Sequence, residues 1–521
     1  MDILREMEIK PLLEGWPLTT IIVALLATWT IYSISIIIYR LTLHPLAKFP
    51  GPKIAACTQL YEFYHDVLRS GQYQFLINNL HDQYGPIIRI SPYELHISSP
   101  DFYSQLYTSA SNPRDKWKFS ADMVGTPSSF FASVEHHVHR GRRMPLNKFF
   151  SKKSVYELEG RISGHVEKLC KRIEEFRGTG KPLSLRYAFA ALTIDVVSEY
   201  AFAKSYGALD DLDFAPYWMD AVDSILEGCY INQFFPWLPA LMKNLPLWVV
   251  EKLNPHITTV IKYQKDLSEQ IQTIMDNPEQ DKETDNLTIF HEFLTSPDLP
   301  LADRNLTHFT EEAQNLIGAG QTTTAHHLNT TMFHILDNAD VLARLKGELE
   351  TAMPDPRILP PLHELENLEY LSAVITEGHR LSPGNIHRLA RISHDPIPTP
   401  FPTPTAPTHL IPPNTPISMS ILTQHHTPSL FPSPKTFSPA RFLSPPSQDL
   451  KRYVVPYSKG TRNCIGQNLA QAEIYMALAA VVRRFEVEVW ETERGRDIDV
   501  VFDFITPKAS RESRGLRVLV K

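Results

Sequence analysis

Two kinds of hydrophobic patterning divide this chain. Residues 18–39, LTTIIVALLATWTIYSISIIIY, are apolar all round and carry no charge, so a helix there has no polar face to offer to water. Such a helix rises about 33 Å, enough to cross a bilayer core. Trp16, Tyr32 and Tyr39 fall near where interfacial aromatics belong. A cleaved signal peptide fits less well, because the apolar run is long, the region before it is acidic and no clear small-residue cleavage site follows. Asp2, Glu6, Glu8 and Glu14 precede the run, and Arg40, Lys48 and Lys53 follow it. That bias makes 1–17 a lumenal tail and 18–39 a single transmembrane anchor, with the rest of the chain in the cytosol. Residues 40–55 contain HPLAKFPGP, whose prolines forbid continued helix and stiffen the exit, so they read as a hinge-like linker to a body at 56–521.

Within the body, apolar positions recur at helical spacing from about 154 to 338, and strand-like alternation is confined to short stretches. Residues 86–97 predict two strands joined at Ser91-Pro92-Tyr93-Glu94, and 485–490 a weaker strand. Residues 396–416, PIPTPFPTPTAPTHLIPPNTP, predict an irregular surface loop, since proline at this density removes donors and fixes φ. The fold class is therefore mainly α with a small β portion. One predicted helix opens near Thr310-Glu311-Glu312 and contains LIGAGQTTTA at 316–325. Two glycines and three successive threonines weaken its interior, so a local opening is expected there. Thr323 can bond the carbonyl of Ala319 one turn earlier, or leave that carbonyl to water or a ligand. Another helix runs from near Leu368 to Leu381, stops at Ser382-Pro383, and puts Glu377 and Arg380 on one face.

Composition narrows the classes. A chain of 521 residues with 43% hydrophobic content buries a large core, and a net charge of −7 without a basic block leaves no footprint for nucleic acid. Cys57, Cys170, Cys229 and Cys464 are far apart and unpaired by spacing, which suggests neither a zinc site nor a disulfide framework and fits a reducing compartment. Cys464 stands apart from the other three. By itself it reads as a packed, inert thiol, the usual state of free cysteine. It also lies in YSKGTRNCIG, just ahead of a helix start, where unpaired N–H groups and the helix dipole favour a thiolate. Such a sulfur suits iron, and Gly460 and Gly466 leave room for a flat macrocycle.

Taken in order, LIGAGQTTTA, the Glu377/Arg380 pair, FSPARF at 437–442 and YSKGTRNCIG resemble the cytochrome P-450 superfamily, the haem-thiolate monooxygenases. The resemblance covers essentially the whole chain. HPLAKFPGPK, YGPIIRISPYELHIS and HRGRRMPLNKFFS are similar to filamentous-fungal members of secondary metabolism, including those like trichodiene oxygenase. The resemblance implies haem b as cofactor, with Cys464 as the axial thiolate and metal ligand. Gly466 and Tyr457 belong to the same cofactor-binding loop. It implies Arg462, Arg140 and Arg388 as propionate partners, with His136 as a further donor. Thr323 matches the distal threonine of proton delivery, with Thr322 beside it and Gly320 keeping the helix clear of the oxygen site. Glu377, Arg380 and Arg441 match a buried structural triad.

The resemblance also implies electrons from NADPH through a membrane-bound NADPH–cytochrome P-450 reductase, with cytochrome b5 as an optional donor, and a single-pass place in the endoplasmic reticulum membrane. Lys451, Arg452 and Lys459 flank the thiolate loop and could receive an acidic reductase face. The substrate expected is lipophilic, a fungal terpenoid or polyketide intermediate. Its walls would come from 118–131, 213–248, 316–323, 382–387 and 504–506.

Departures from the family pattern matter too. Thr322 stands where many members have an acid, so water held by Gln321, Thr322 and Thr323 is the expected proton source. His136 stands for a tryptophan, Tyr457 for a phenylalanine and Ala440 for an acid. Two other classes compete: a haem-thiolate isomerase or dehydratase working without O2, and a non-catalytic haem-binding sensor. Dependence on NADPH and reductase separates the first from a monooxygenase, and spectral response to lipophilic compounds separates the second.

Overall fold

A computed structural model describes residues 17–253, 255–277, 288–399, 401, 409–443 and 447–521. The helices that position the site are, in chain order, α1 (Leu18–Thr42), α2 (His136–Asn147), α3 (Leu185–Phe202), α4 (Pro216–Glu227), α5 (Pro255–Asp276), α6 (Leu306–Leu336), α7 (Glu369–Leu381) and α8 (Gln467–Arg484). The expected lumenal tail lies outside the described residues, apart from Pro17.

Helix α1 buries none of its residues and is the one described helix long and apolar enough to cross a membrane. It runs past 39 to Thr42, and the expected hinge after it is docked rather than loose. Arg40 donates from Nη1 to the Cys57 carbonyl at 2.5 Å and from Nη2 to Tyr93 Oη at 2.7 Å, while Arg89 Nη1 donates to the Arg40 carbonyl at 2.7 Å. Leu46 and Phe49 are buried in a cluster with Ile87, Leu95 and Ile97. Prolines here stop the helix, but the apolar residues between them pack on the sheet.

That sheet has the order Ile87–Arg89, Leu95–Ile97, Pro416–Ser418, Arg391–Ile392, Asp115–Lys116. Its first two strands pair antiparallel with Ile87 opposite Ile97, and Ser91 Oγ accepts from the Glu94 N–H at 3.0 Å to pin the predicted turn. Its last pair sets Lys116 opposite Arg391. The strand near 485–490 is Val487–Val489, paired with Arg517–Val520.

The expectation of an irregular loop at 396–416 fails at both ends. Ile397–Thr399 and His409–Ile411 form an antiparallel ribbon with Pro398 opposite Leu410, and Pro416 opens a strand of the main sheet. A two-stranded ribbon has outer edges where a missing N–H goes unneeded, so proline is tolerated there. Residues 402–408, the middle of this segment, lie outside the described residues.

Helix α6 forms the spine of the body. Its cap is Asn305, whose Oδ1 accepts from the His308 N–H at 3.0 Å, so it starts earlier than its sequence suggested. It continues unbroken through 316–325, contrary to the expected opening. Thr323 Oγ1 donates to the Ala319 carbonyl at 2.9 Å, which satisfies the weakened turn from within. The glycines there serve close packing. A Cβ on Gly318 would lie 3.5 Å from Val222 Cγ1 of α4, and one on Gly320 would lie 3.0 Å from Val197 Cγ2 of the almost wholly buried α3.

Helix α7 carries a fully buried ion pair, Glu377 with Arg380, which the partly buried Arg441 joins from outside. Arg380 reaches Glu377 through Nε to Oε2 at 2.7 Å and Nη2 to Oε1 at 2.8 Å, and Arg441 Nε reaches Oε1 at 3.2 Å. Glu377 also accepts from the Ser438 N–H at 2.8 Å. These bonds tie α7 to the segment that leads into the thiolate loop.

Candidate active site

An internal cavity of about 330 Å³ lies between α6, α8 and the main sheet. One wall is the loop before α8. The Cys464 N–H donates to the Tyr457 carbonyl at 2.9 Å, closing the loop, and Gly460 turns it with φ +77°. The role expected for Gly460 changes. A Cβ there would sit 2.2 Å from the Thr108 carbonyl, so this glycine lets the loop pass its neighbour and does not face the cavity. Gly466 does face the cavity, with no atom within 4 Å of the place a Cβ would take.

The side chain of Cys464 is exposed, and what it is exposed to is the cavity. Protein packed around the rest of it pushes the thiol pKa upward. The Gly466 N–H and the Arg143 charge pull the other way, the direction expected at a helix start. Beside it, Tyr457 Oη lies 3.1 Å from His379 Nε2 of α7. Glu473 of α8, buried and on the same wall, has its carboxyl pKa driven well up by burial alone.

At one end of the cavity four cationic side chains meet: Lys116, Arg143, Arg391 and Arg462. None is ion-paired to a carboxylate among the described residues. Arg462 donates from Nη1 to the Ser133 carbonyl and from Nη2 to the Val134 carbonyl, each at 2.7 Å, while its buried Nε has no partner. Burial and the Arg391 charge lower its pKa to about 9. Lys116 donates from Nζ to the Phe131 carbonyl at 2.9 Å, and burial with Arg391 and Arg462 holds its pKa far below the usual lysine range. Arg143 pins the cysteine loop, Nη1 to the Asn463 carbonyl at 2.6 Å and Nη2 to Asn463 Oδ1 at 2.9 Å. His139, one turn before Arg143 on α2, is buried and kept neutral, its pKa depressed to about 2 by burial and these cations.

Three of the residues expected at the cofactor do not line the cavity. Arg140 is exposed on α2 and absent from the cavity wall. His136, one turn before it, is off the wall as well, and its own N–H donates to Asp115 Oδ1 at 2.8 Å. The inward face of α2 is His139, Arg143 and Leu146, at spacings of four and three. Arg388 is fully buried away from the cavity, bonded to Glu62 and held 3.4 Å from Glu94 and 3.6 Å from Asp66. Arg391, three residues on, takes the wall position instead.

The facing wall is α6, where Ala319, Gly320, Thr322 and Thr323 reach the cavity. Thr322 Oγ1 is buried without a partner, and Gln321 lies off the wall with its carbonyl accepting from Thr193 Oγ1 at 3.0 Å. Of the three residues expected to hold water, the two threonines line the cavity and Gln321 does not. The apolar lining comes from Val124, Phe130 and Phe131, from Val222, Ile225 and Leu226 of α4, and from Leu316 and Ile505. The aromatic stretch after 227, expected on the wall, is not there, and Trp237 and Trp248 are exposed at the surface. The first turns of α6 hold the opposite wall in place. Glu311 Oε2 accepts from the Ser128 N–H and Glu312 Oε1 from the Phe130 N–H, each at 2.6 Å.

A sulfur open to an internal cavity, a glycine clearing its edge and cations without carboxylate partners at one end fit a flat, iron-binding dianion such as haem. The missing charge partners are what its two carboxylates would supply.

Comparison with known proteins agrees. The cytochrome P-450 family matches residues 53–512. A cytochrome P-450 monooxygenase of Ascocoryne sarcoides is 41% identical over 516 residues, covering 96% of this chain and 99% of its own. A tryptophan 6-hydroxylase of Fusarium equiseti is 39% identical, covering 94% of each chain, and an N-acetyltryptophan 6-hydroxylase of Emericella nidulans is 37% identical, covering 95% of this chain and 96% of its own. The residues that wall this cavity therefore belong to a haem-thiolate fold, and the chain is a member of the cytochrome P-450 family of monooxygenases.

Proposed function

We propose that this protein inserts one oxygen atom from O2 into a lipophilic intermediate of fungal secondary metabolism, a terpenoid or polyketide. The observation that carries this is Cys464 opening onto the same cavity as the Ala319–Thr323 turn of α6, with unpaired cations at one end. Two relatives named as tryptophan-type 6-hydroxylases make an indole the second class to offer.

The haem, when bound, supplies the oxygen-activating chemistry. Cys464 would hold its iron through the thiolate. Arg143, Arg391, Arg462 and Lys116 would neutralise its carboxylates, and Arg143 also fixes the loop that carries the sulfur. Thr322 and Thr323 hold water for proton delivery, replacing the acid that is missing at 322. The α4 and α6 side chains exclude bulk water and position one C–H bond of the substrate. Glu377, Arg380 and Arg441 keep the wall beneath rigid.

Electrons come from NADPH through a membrane-bound reductase, with cytochrome b5 as an optional donor. Lys451 and Arg452 are exposed near the thiolate loop and offer the docking charge. Helix α1 holds the protein in the endoplasmic reticulum membrane with the body in the cytosol. Product analysis after expression with a reductase, NADPH and candidate terpenoids, polyketides and indoles tests the proposal. Products with one added oxygen derived from O2 support it, and turnover without NADPH or O2 points to an isomerase.

A further inference from the structure

Three ring side chains on the cavity wall lock together at the cysteine loop, and the oxygen chemistry gives them no part: His327 of α6, His379 of α7 and Tyr457. The rings of His327 and His379 stack, with centroids 3.9 Å apart and planes 29° from parallel, and the Tyr457 ring meets His379 edge-on at 5.2 Å and 70°. Tyr457 Oη lies 3.1 Å from His379 Nε2, and Thr331 Oγ1 lies 3.3 Å from His327 Nε2. A Cβ on Gly378 would lie 2.9 Å from His327 Cε1, so the glycine before His379 lets α7 close on α6.

A buried phenol needs a partner for its hydroxyl. Among the described residues the partner of Tyr457 Oη is His379. Both groups are neutral: burial holds the His379 pKa down at about 3, and burial followed by the nearby Cys464 charge pushes the Tyr457 pKa well up. The same influence marks the phenol as a neighbour of the sulfur. Tyr457 reaches the cysteine a second way, since its carbonyl accepts from the Cys464 N–H at 2.9 Å.

A hydroxyl has one proton to give, and a neutral imidazole nitrogen can accept it. Given to His379, that proton is withheld from Cys464. A phenol free to turn would find the thiolate the better acceptor, because hydrogen bonds to an ionised group are about twice as strong as neutral ones.

Building on the monooxygenase reading, we infer that His379, braced by His327, is a positioning residue for the axial sulfur: its Nε2 accepts the Tyr457 hydroxyl and so keeps that donor off the Cys464 thiolate. The sulfur then keeps its electron density for the iron, as it would beside a phenylalanine.

The test uses the full-length, detergent-solubilised holoprotein, after its reduced carbon monoxide spectrum has been recorded. One readout is the one-electron reduction potential of the haem, and the other is a double-variant cycle of Tyr457→Phe and His379→Leu on denaturant unfolding. Tyr457→Phe removes a hydroxyl that is already off the sulfur, so the one-electron equilibrium should stay within about twofold. His379→Leu frees the hydroxyl for the thiolate and should raise the potential by about 59 mV, a tenfold change in that equilibrium. Adding Tyr457→Phe to His379→Leu should cancel the rise, and His379→Gln, whose amide can accept from the hydroxyl, should return the wild-type value to within about twofold. An unchanged potential in His379→Leu, or a rise that survives in the double variant, overturns the assignment. Should His379→Leu not fold, Tyr457→Phe decides: a constant potential supports the assignment, and a fall, as on removing a donor from the sulfur, overturns it. Failure of the parent reading shows separately, as a wild-type carbon monoxide spectrum that is not of the thiolate type. The unfolding cycle still judges the bond between Tyr457 and His379 in that case, with a coupling of about fivefold expected and no coupling overturning it.

Discussion

Arg143→Leu and Arg140→Leu, three residues apart on α2, should behave very differently. Arg143 donates to both the carbonyl and Oδ1 of Asn463, the residue before Cys464, and adds a charge to the cationic end of the cavity. A hydrogen bond from a charged donor contributes about 1.5–3 kcal/mol, and water can partly replace one of these two. A net loss of about 3 kcal/mol is expected, close to a 100-fold weaker hold on haem. Arg140 is exposed and makes no contact with the wall, so its replacement should stay within about 0.5 kcal/mol. The assay is first-order loss of haem to excess apomyoglobin, with far-UV circular dichroism confirming that both variants are folded. Haem loss about 100-fold faster for Arg143→Leu and within about twofold of wild type for Arg140→Leu is the expected pair of results. Faster loss from Arg140→Leu than from Arg143→Leu would refute the inward face assigned to α2.

The same geometry sets three further outcomes. Gly384→Ala places a methyl 2.8 Å from Thr323 Cβ, so it should displace that threonine at a cost of about 1–3 kcal/mol and lower product yield per NADPH while the carbon monoxide spectrum stays thiolate-type; unchanged coupling contradicts it. Thr323→Ala should likewise divert electrons from product to peroxide, and coupling equal to wild type would remove the two threonines as the proton route. Glu62 shares Arg388 with Asp66 and Glu94, and burial raises its pKa from 4.5 to about 7. Because the folded state holds this proton more tightly than the unfolded chain, its stabilising contribution is complete below about pH 4.5 and is lost as pH rises through about 7. Thermal midpoints of wild type should therefore fall across that window relative to Glu62→Gln, and parallel pH profiles would contradict the assignment.

Local chemistry made part of this fold legible. Ser91-Pro92 predicts a turn because serine and proline act within a few residues, and the strand pair around it has the expected register. The end of α7 at Leu381 results from Pro383 in the same way. The α2 register was harder, since His136/Arg140 and His139/Arg143 have identical spacing. The discriminating signal was Leu146, seven residues after His139, which continues the buried face. Arg388 and Arg391 could not be separated from sequence, because Glu62, Asp66 and Glu94, which claim Arg388, lie far away in the chain. Gly460 looked like a cofactor glycine, and only the close passage of Thr108 shows otherwise.

The central claim is that Cys464 binds the haem iron as a thiolate, and Cys464→Ala tests it most directly. The reduced, carbon monoxide-treated wild type should show the thiolate-type spectrum, and the variant should lose it while retaining native circular dichroism. A Cys464→Ala protein that keeps the thiolate-type spectrum would contradict the account.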